Sequence, residues 1–140
     1  MFVYVNHNST NVLARDLANR AAMIIFKANW CGPCKEYLAD LRGSKGLAAL
    51  GTNNPDFRVY IVDADRNPQI AEYYGVTSLP VTFALQRGRI AQAHEVSVNE
   101  HISPSLSDRI TGGVKSVDKQ LVPFLEEAFS LAERTTQPTQ

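Results

Sequence analysis

The sequence predicts an α/β fold, a central mixed β-sheet flanked by helices. Strand-like and helix-like segments alternate as far as Gly75, which calls for parallel pairing. Two later apolar runs are joined by a short glycine-containing turn, the pattern of an antiparallel hairpin. A last segment carries a one-sided apolar stripe suited to covering a sheet face. The 140 residues suffice for one domain with a real core and no metal or disulfide staples. That domain is expected over residues 1–133, with 134–140 as a flexible tail.

Phe2-Val3-Tyr4-Val5 is β-branched and aromatic, a short strand, and Asn6 to Asn11 supplies turn and cap residues for a helix from about Thr10 to Arg20. Ala22-Met23-Ile24-Ile25-Phe26 is continuously apolar, as a strand covered on both faces must be. It delivers the chain to Trp30-Cys31. From Cys34 to about Leu50 the spacing of Tyr37, Leu38 and Leu41 is helical, with Gly43 and Gly46 interrupting it and a second short helix after them. Phe57 to Val62 reads as another buried strand, and Asn67 to Tyr74 as a helix closed by Gly75.

Val81 to Leu85 and Arg89 to Ala93 form the hairpin across Gln86-Arg87-Gly88. A polar insertion, Glu95 to Asp108, separates it from a last strand, Arg109-Ile110-Thr111. The final helix, from about Ser116 to Glu133, aligns Leu121, Phe124, Leu125, Ala128 and Leu131 and tolerates Pro123 near its start.

Charge and composition exclude several functions. Fourteen Lys plus Arg balance fourteen Asp plus Glu, so the clustered positive charge that nucleic acid or an anionic membrane needs is absent from the pattern. No apolar stretch approaches the roughly 20 residues of a membrane span. The first ten residues lack the pattern of a secretory signal, so a cytoplasmic monomer is expected. No Gly-x-Gly-x-x-Gly motif is present, so the chain is not expected to bind a nicotinamide itself.

The two cysteines, Cys31 and Cys34, lie at the exit of a buried strand and the entrance of a helix. The first helical turn has unpaired N–H groups and partial positive charge, which stabilise a thiolate, the nucleophilic form of cysteine. Cys31 is therefore the candidate attacking thiol. The three-residue spacing puts both sulfurs on one side of the first turn, with Cys34 deeper as the resolving thiol. Gly32 permits tight approach, and Pro33 presets a helical φ while giving up an N–H that the helix start does not need. An inert structural disulfide or half of a metal site is the competing reading. A four-ligand zinc site would need a second cysteine pair, and His7, His94 and His101 show no ligand spacing.

Trp30-Cys31-Gly32-Pro33-Cys34-Lys35 resembles the active-site signature of the thioredoxin family, and Ser78-Leu79-Pro80-Val81-Thr82 resembles its cis-proline segment. The match continues through Asp65, Asn67-Pro68, Gly75-Val76 and the Gly88 hairpin to the region of Gly113 and the C-terminal helix. The resemblance implies a thioredoxin fold and a protein-disulfide reductase needing no cofactor beyond its own redox-active Cys31-Cys34 disulfide. It also implies disulfide-containing protein substrates, a separate thioredoxin reductase or glutathione system to restore the dithiol, and substrate contact at Trp30, Leu79 and Pro80. A cis X-Pro bond at a strand start would itself leave neighbouring backbone unpaired, ready to accept an extended peptide. A disulfide oxidase or isomerase, or a binding module in which the dithiol is incidental, remains open at this level.

The sequence also departs from the family pattern. The family's buried carboxylate, six positions before the first cysteine, and its lysine on the neighbouring strand fall at Ile25 and Ile61. Losing both together is coherent, because losing one would strand a buried charge. Lys27 occupies the place of a second tryptophan, and its expected partner is Asp65, giving a cation near the dithiol that favours the Cys31 thiolate.

Overall fold

In the computed structural model of the protein, the structure describes residues 1–18, 20–86, 89–90, 109–111, 117–123 and 125–126. Six strands form one sheet: β1 (Phe2–Tyr4), β2 (Ala21–Lys27), β3 (Arg58–Asp63), β4 (Val81–Gln86), β5 (Arg89–Ile90) and β6 (Arg109–Thr111). Their order is β1-β3-β2-β4-β5, with β6 also on β4. β1, β3 and β2 run parallel, and β4 turns the sheet antiparallel. The helices are α1 (Thr10–Leu17), α2 (Gly32–Arg42), α3 (Lys45–Asn53) and α4 (Pro68–Tyr73), followed by a π-helical segment, Val117–Leu121. The expected mixed sheet flanked by helices is the observed architecture.

Side-chain alternation along β2 builds two cores. Met23 and Ile25 enter one with Tyr37, Leu41, Leu47 and Leu121, under α2, α3 and the C-terminal segment. Ala22, Ile24 and Phe26 enter the other with Leu13, Leu17 and Ile70, under α1 and α4. The continuous apolar run in the sequence is thus the signature of a strand with no solvent face. Ser9 caps α1, its hydroxyl accepting from Val12 N at 3.2 Å, and the helix closes at Leu17 rather than Arg20.

Gly43 ends α2, whereas Gly46 lies inside α3 and does not break it. A Cβ on Gly46 would lie 2.7 Å from the Asp118 carboxylate. That carboxylate accepts from the Ser44 hydroxyl and from Gly46 N, so glycine lets the C-terminal segment dock on the start of α3. Gly75 takes φ +66°, the left-handed closure expected after α4. The C-terminal segment opens as a π-helix; Pro123, just beyond it, has no N–H to contribute to an α-type turn.

The far edge of β4 is shared. Leu85 and Gln86 pair with β5, while Val81 to Phe83 pair with β6. The hairpin strand expected to reach Ala93 is described to Ile90, and residues 91–93 lie outside the described residues. Glu95 to Asp108, Gly88, Gly113, the rest of the final helix and the tail lie outside the described residues.

One contact ties α2 to the sheet through polar groups. The Tyr37 hydroxyl and Thr82 Oγ1 share a 2.7 Å hydrogen bond inside the core. Burial pushes the Tyr37 pKa up to about 12, against a smaller opposing effect of that bond. The unfolded chain therefore releases this proton first, near pH 10, so the contribution is intact below about pH 10 and lost as pH rises toward 12. The loss expected over that window is about 3 kcal/mol. Tyr74 is raised by burial too and acts in the same direction. Urea melts at successive pH values should show Tyr37→Phe with a flatter decline, since phenylalanine has no proton to lose.

Candidate functional site

β2 ends at Lys27, and the loop after it is tied by a hydrogen bond from Cys31 N to Ala28 O, 3.1 Å. Cys31 is the N-cap of α2, and its sulfur accepts from Cys34 N at 3.1 Å. Sulfur here takes the place that a serine or aspartate oxygen takes at ordinary helix starts. Pro33 stands in the first turn without costing a helix bond. Cys31 and Cys34 are joined as a disulfide with Cα atoms 5.2 Å apart. Both are buried, and Cys31 is the more accessible at 4 % against 1 %.

Gly32 and Lys35 are exposed on the same turn. A Cβ on Gly32 would meet nothing within 4 Å, so the tight approach expected to require glycine is absent within the chain. Leu79 packs against the cluster of Ala28, Cys31 and Cys34, and the Leu79-Pro80 bond is cis. Two segments far apart in sequence thus meet at the dithiol. Trp30 is 71 % exposed beside it, and its indole N–H donates to Asp65 Oδ2 at 2.8 Å.

Lys27 does not reach Asp65. In the parallel ladder Lys27 stands opposite Asp63, with Nζ 3.5 Å from Asp63 Oδ2 and 2.9 Å from Asn29 Oδ1, to which it donates. Asp63 also accepts from Asp65 N and Arg66 N through its other oxygen. The expected Lys27-Asp65 pair is therefore replaced by Lys27-Asp63 and Trp30-Asp65, because strand register brings the nearer aspartate to the lysine. Ile25 and Ile61 are Cα partners in the same ladder, at 0 % and 1 % exposure, so the two departures from the family pattern pack on each other.

A groove of about 600 Å³ opens beside the dithiol, walled by Trp30, Pro68, Ala71, Glu72, Val76 and Leu79 among others. Glu72 was not singled out from the sequence, where an acidic residue on a short helix carries no distinguishing signal. Among the described residues no group of three or more His, Cys, Asp or Glu could hold a metal ion, and no helix is long and apolar enough to cross a membrane.

Comparison with known proteins agrees with this arrangement. The thioredoxin family model matches residues 3–108. A thioredoxin of Chlamydia trachomatis is 34 % identical over 76 residues, covering 54 % of this chain and 69 % of that protein. A Borreliella burgdorferi thioredoxin is 44 % identical over 62 residues, 44 % of this chain and 49 % of that one. In fold, the oxidised mitochondrial thioredoxin 3 of Saccharomyces cerevisiae superimposes with a TM-score of 0.58 at 22 % identity, over 92 % of this chain and 93 % of that one. With the family model spanning most of the sequence and a paired Cys-x-x-Cys at the helix start, the chain belongs to the thioredoxin family and is a thiol-disulfide oxidoreductase with disulfide-reductase activity.

Proposed function

We propose that Cys31 is the attacking thiol and Cys34 the resolving thiol in the reduction of protein disulfides. The observation that carries this is the Cys31 sulfur accepting the Cys34 N–H at the start of α2. There the helix end favours negative charge on Cys31 once the dithiol is reduced. The Cys31 thiolate attacks one sulfur of the substrate disulfide, forming a mixed disulfide and expelling the other sulfur as a thiolate. Cys34, deprotonated, then attacks Cys31 Sγ. The Cys31-Cys34 disulfide re-forms and the second substrate thiol leaves, so two electrons have passed to the substrate.

Leu79 packs against the dithiol, its backbone pairs with the extended substrate beside Pro80, and Trp30, fixed by Asp65, borders the entry. Gly32, Pro33 and Lys35 complete the turn that presents Cys31. Lys27 is a minor support, since Asp63 offsets its charge. A separate thioredoxin reductase or glutathione system restores the dithiol. The unit is a single domain over residues 1–133, with 134–140 as a tail, working as a cytoplasmic monomer.

Equilibration of the Cys31/Cys34 pair with glutathione, alongside an insulin-disulfide reduction assay, tests this. A potential below that of the glutathione pool, with turnover, is expected. An oxidising potential would make the chain an oxidase or isomerase, and dithiol formation without turnover would leave a binding module. Lys27→Met should leave the measured potential unchanged.

A further inference from the structure

Among the described residues, the walls of the groove beside the dithiol are apolar or uncharged except at one position. Trp30, Ala71, Val76 and Leu79 supply apolar surface, and Glu72 is the one charged side chain among the described residues that line it. A second carboxylate, Asp65, stands behind the Trp30 indole and holds it by hydrogen bond. Lys27 and Arg66 line a different cavity of about 410 Å³, where Asp63 pairs with Lys27, and Lys35, exposed on the first turns of α2, is not among the described residues that line the groove. The groove therefore presents negative charge over an apolar floor.

The chain as a whole carries no formal net charge, so net charge alone favours no class of substrate. Discrimination has to come from local charge. A lysine or arginine matches the groove: its methylene stem packs on Ala71 and Val76 while its cation reaches Glu72. Trp30, exposed over most of its surface, adds an aromatic face that favours a cation. An acidic side chain in the same place would face Glu72 across a short gap.

We propose that Glu72 is a specificity determinant of this enzyme, selecting substrate disulfides flanked by a lysine or arginine side chain. The inference rests on the reading of the Leu79 edge and the dithiol as the substrate site. Glu72 touches the flanking residue rather than the reacting sulfurs, so it changes which disulfides are chosen without altering the exchange chemistry.

The test uses the pre-reduced full chain and two disulfide-bonded peptides that differ only in the flanking residue, arginine in one and glutamate in the other. Stopped-flow fluorescence of Trp30, the single tryptophan, gives the second-order rate constant for each. At low salt the arginine peptide should react about fivefold faster, the size expected for an exposed charge pair gained in one case and repelled in the other. The ratio should shrink as salt screens it. Glu72→Gln should bring the ratio close to unity, and Glu72→Lys should invert it. A ratio that survives both substitutions overturns the proposal, as does an equal fall for both peptides, which would mean that Glu72 supports the site without reading substrate. Failure of the underlying site assignment is separable: the unaltered chain would then reduce neither peptide.

Discussion

Cys34→Ser should abolish catalytic turnover while still permitting the first chemical step, whereas Cys31→Ser should abolish both. The difference follows from the positions of the two sulfurs. Cys31 is the N-cap of α2, its sulfur accepting from Cys34 N, and in the proposed cycle Cys34 displaces whatever Cys31 holds. With Cys34 gone, the mixed disulfide has no intramolecular escape, so it should accumulate in stoichiometric amount. With Cys31 gone, the remaining Cys34 is 1 % exposed and cannot meet a bulky disulfide. Each substitution should reduce steady-state insulin reduction on the order of a thousandfold or more, the scale seen when a covalent nucleophile is removed. Non-reducing mass spectrometry distinguishes the pair. An adduct in Cys31→Ser, or none in Cys34→Ser, would reverse the roles assigned to the two thiols.

Ile25→Asp should destabilise the fold by about 3–5 kcal/mol at pH 7, the cost of an unpaired charge in a closed core. Ile25 is fully buried among Met23, Ile61 and neighbours from α2 and α3. Desolvation raises the new carboxyl's pKa above its unfolded value near 4, so the penalty should be least below about pH 4 and grow as pH rises through the folded pKa. Adding Ile61→Lys places a cation on the adjacent strand in register and should recover part of the loss. Urea melts of the two single variants and the double variant measure the coupling. Additive effects would mean that the two positions, although ladder partners, do not bring their side chains together.

The site was legible in the sequence where local chemistry fixes it. A cysteine pair at three-residue spacing, after an apolar run and ahead of helical periodicity, has few other places to go, and Pro80 brought Leu79 to it. Longer-range pairing was less legible. Alternation shows that Ile25 and Lys27 face the same way, but not which residue of β3 stands opposite, and Asp63 and Asp65 share that alternation. Register decided between them, and register is a property of two strands together. Glu72 escaped notice for a related reason: its meaning comes from the apolar surfaces that Trp30, Val76 and Leu79 bring around it. Similarly, Gly46 reads as a helix breaker until Asp118, from the other end of the chain, arrives above it.

The divided edge of β4 has a bearing on how this chain can change over time. Ile90 pairs opposite Leu85 and Arg109 opposite Phe83, so these two residues, separated in the sequence by the eighteen residues 91–108, stand only about two rungs apart on β4. Segments that depart and return at nearly the same point can be exchanged for others of different length with a closure cost that grows only logarithmically. The dithiol follows β2, which pairs with the other side of β4, and sits at the start of α2. β5 and β6 hang on β4, whereas Cys31 is delivered by β2 and α2, so a change in chain length between Ile90 and Arg109 is closed on a different strand from the one that carries the attacking sulfur.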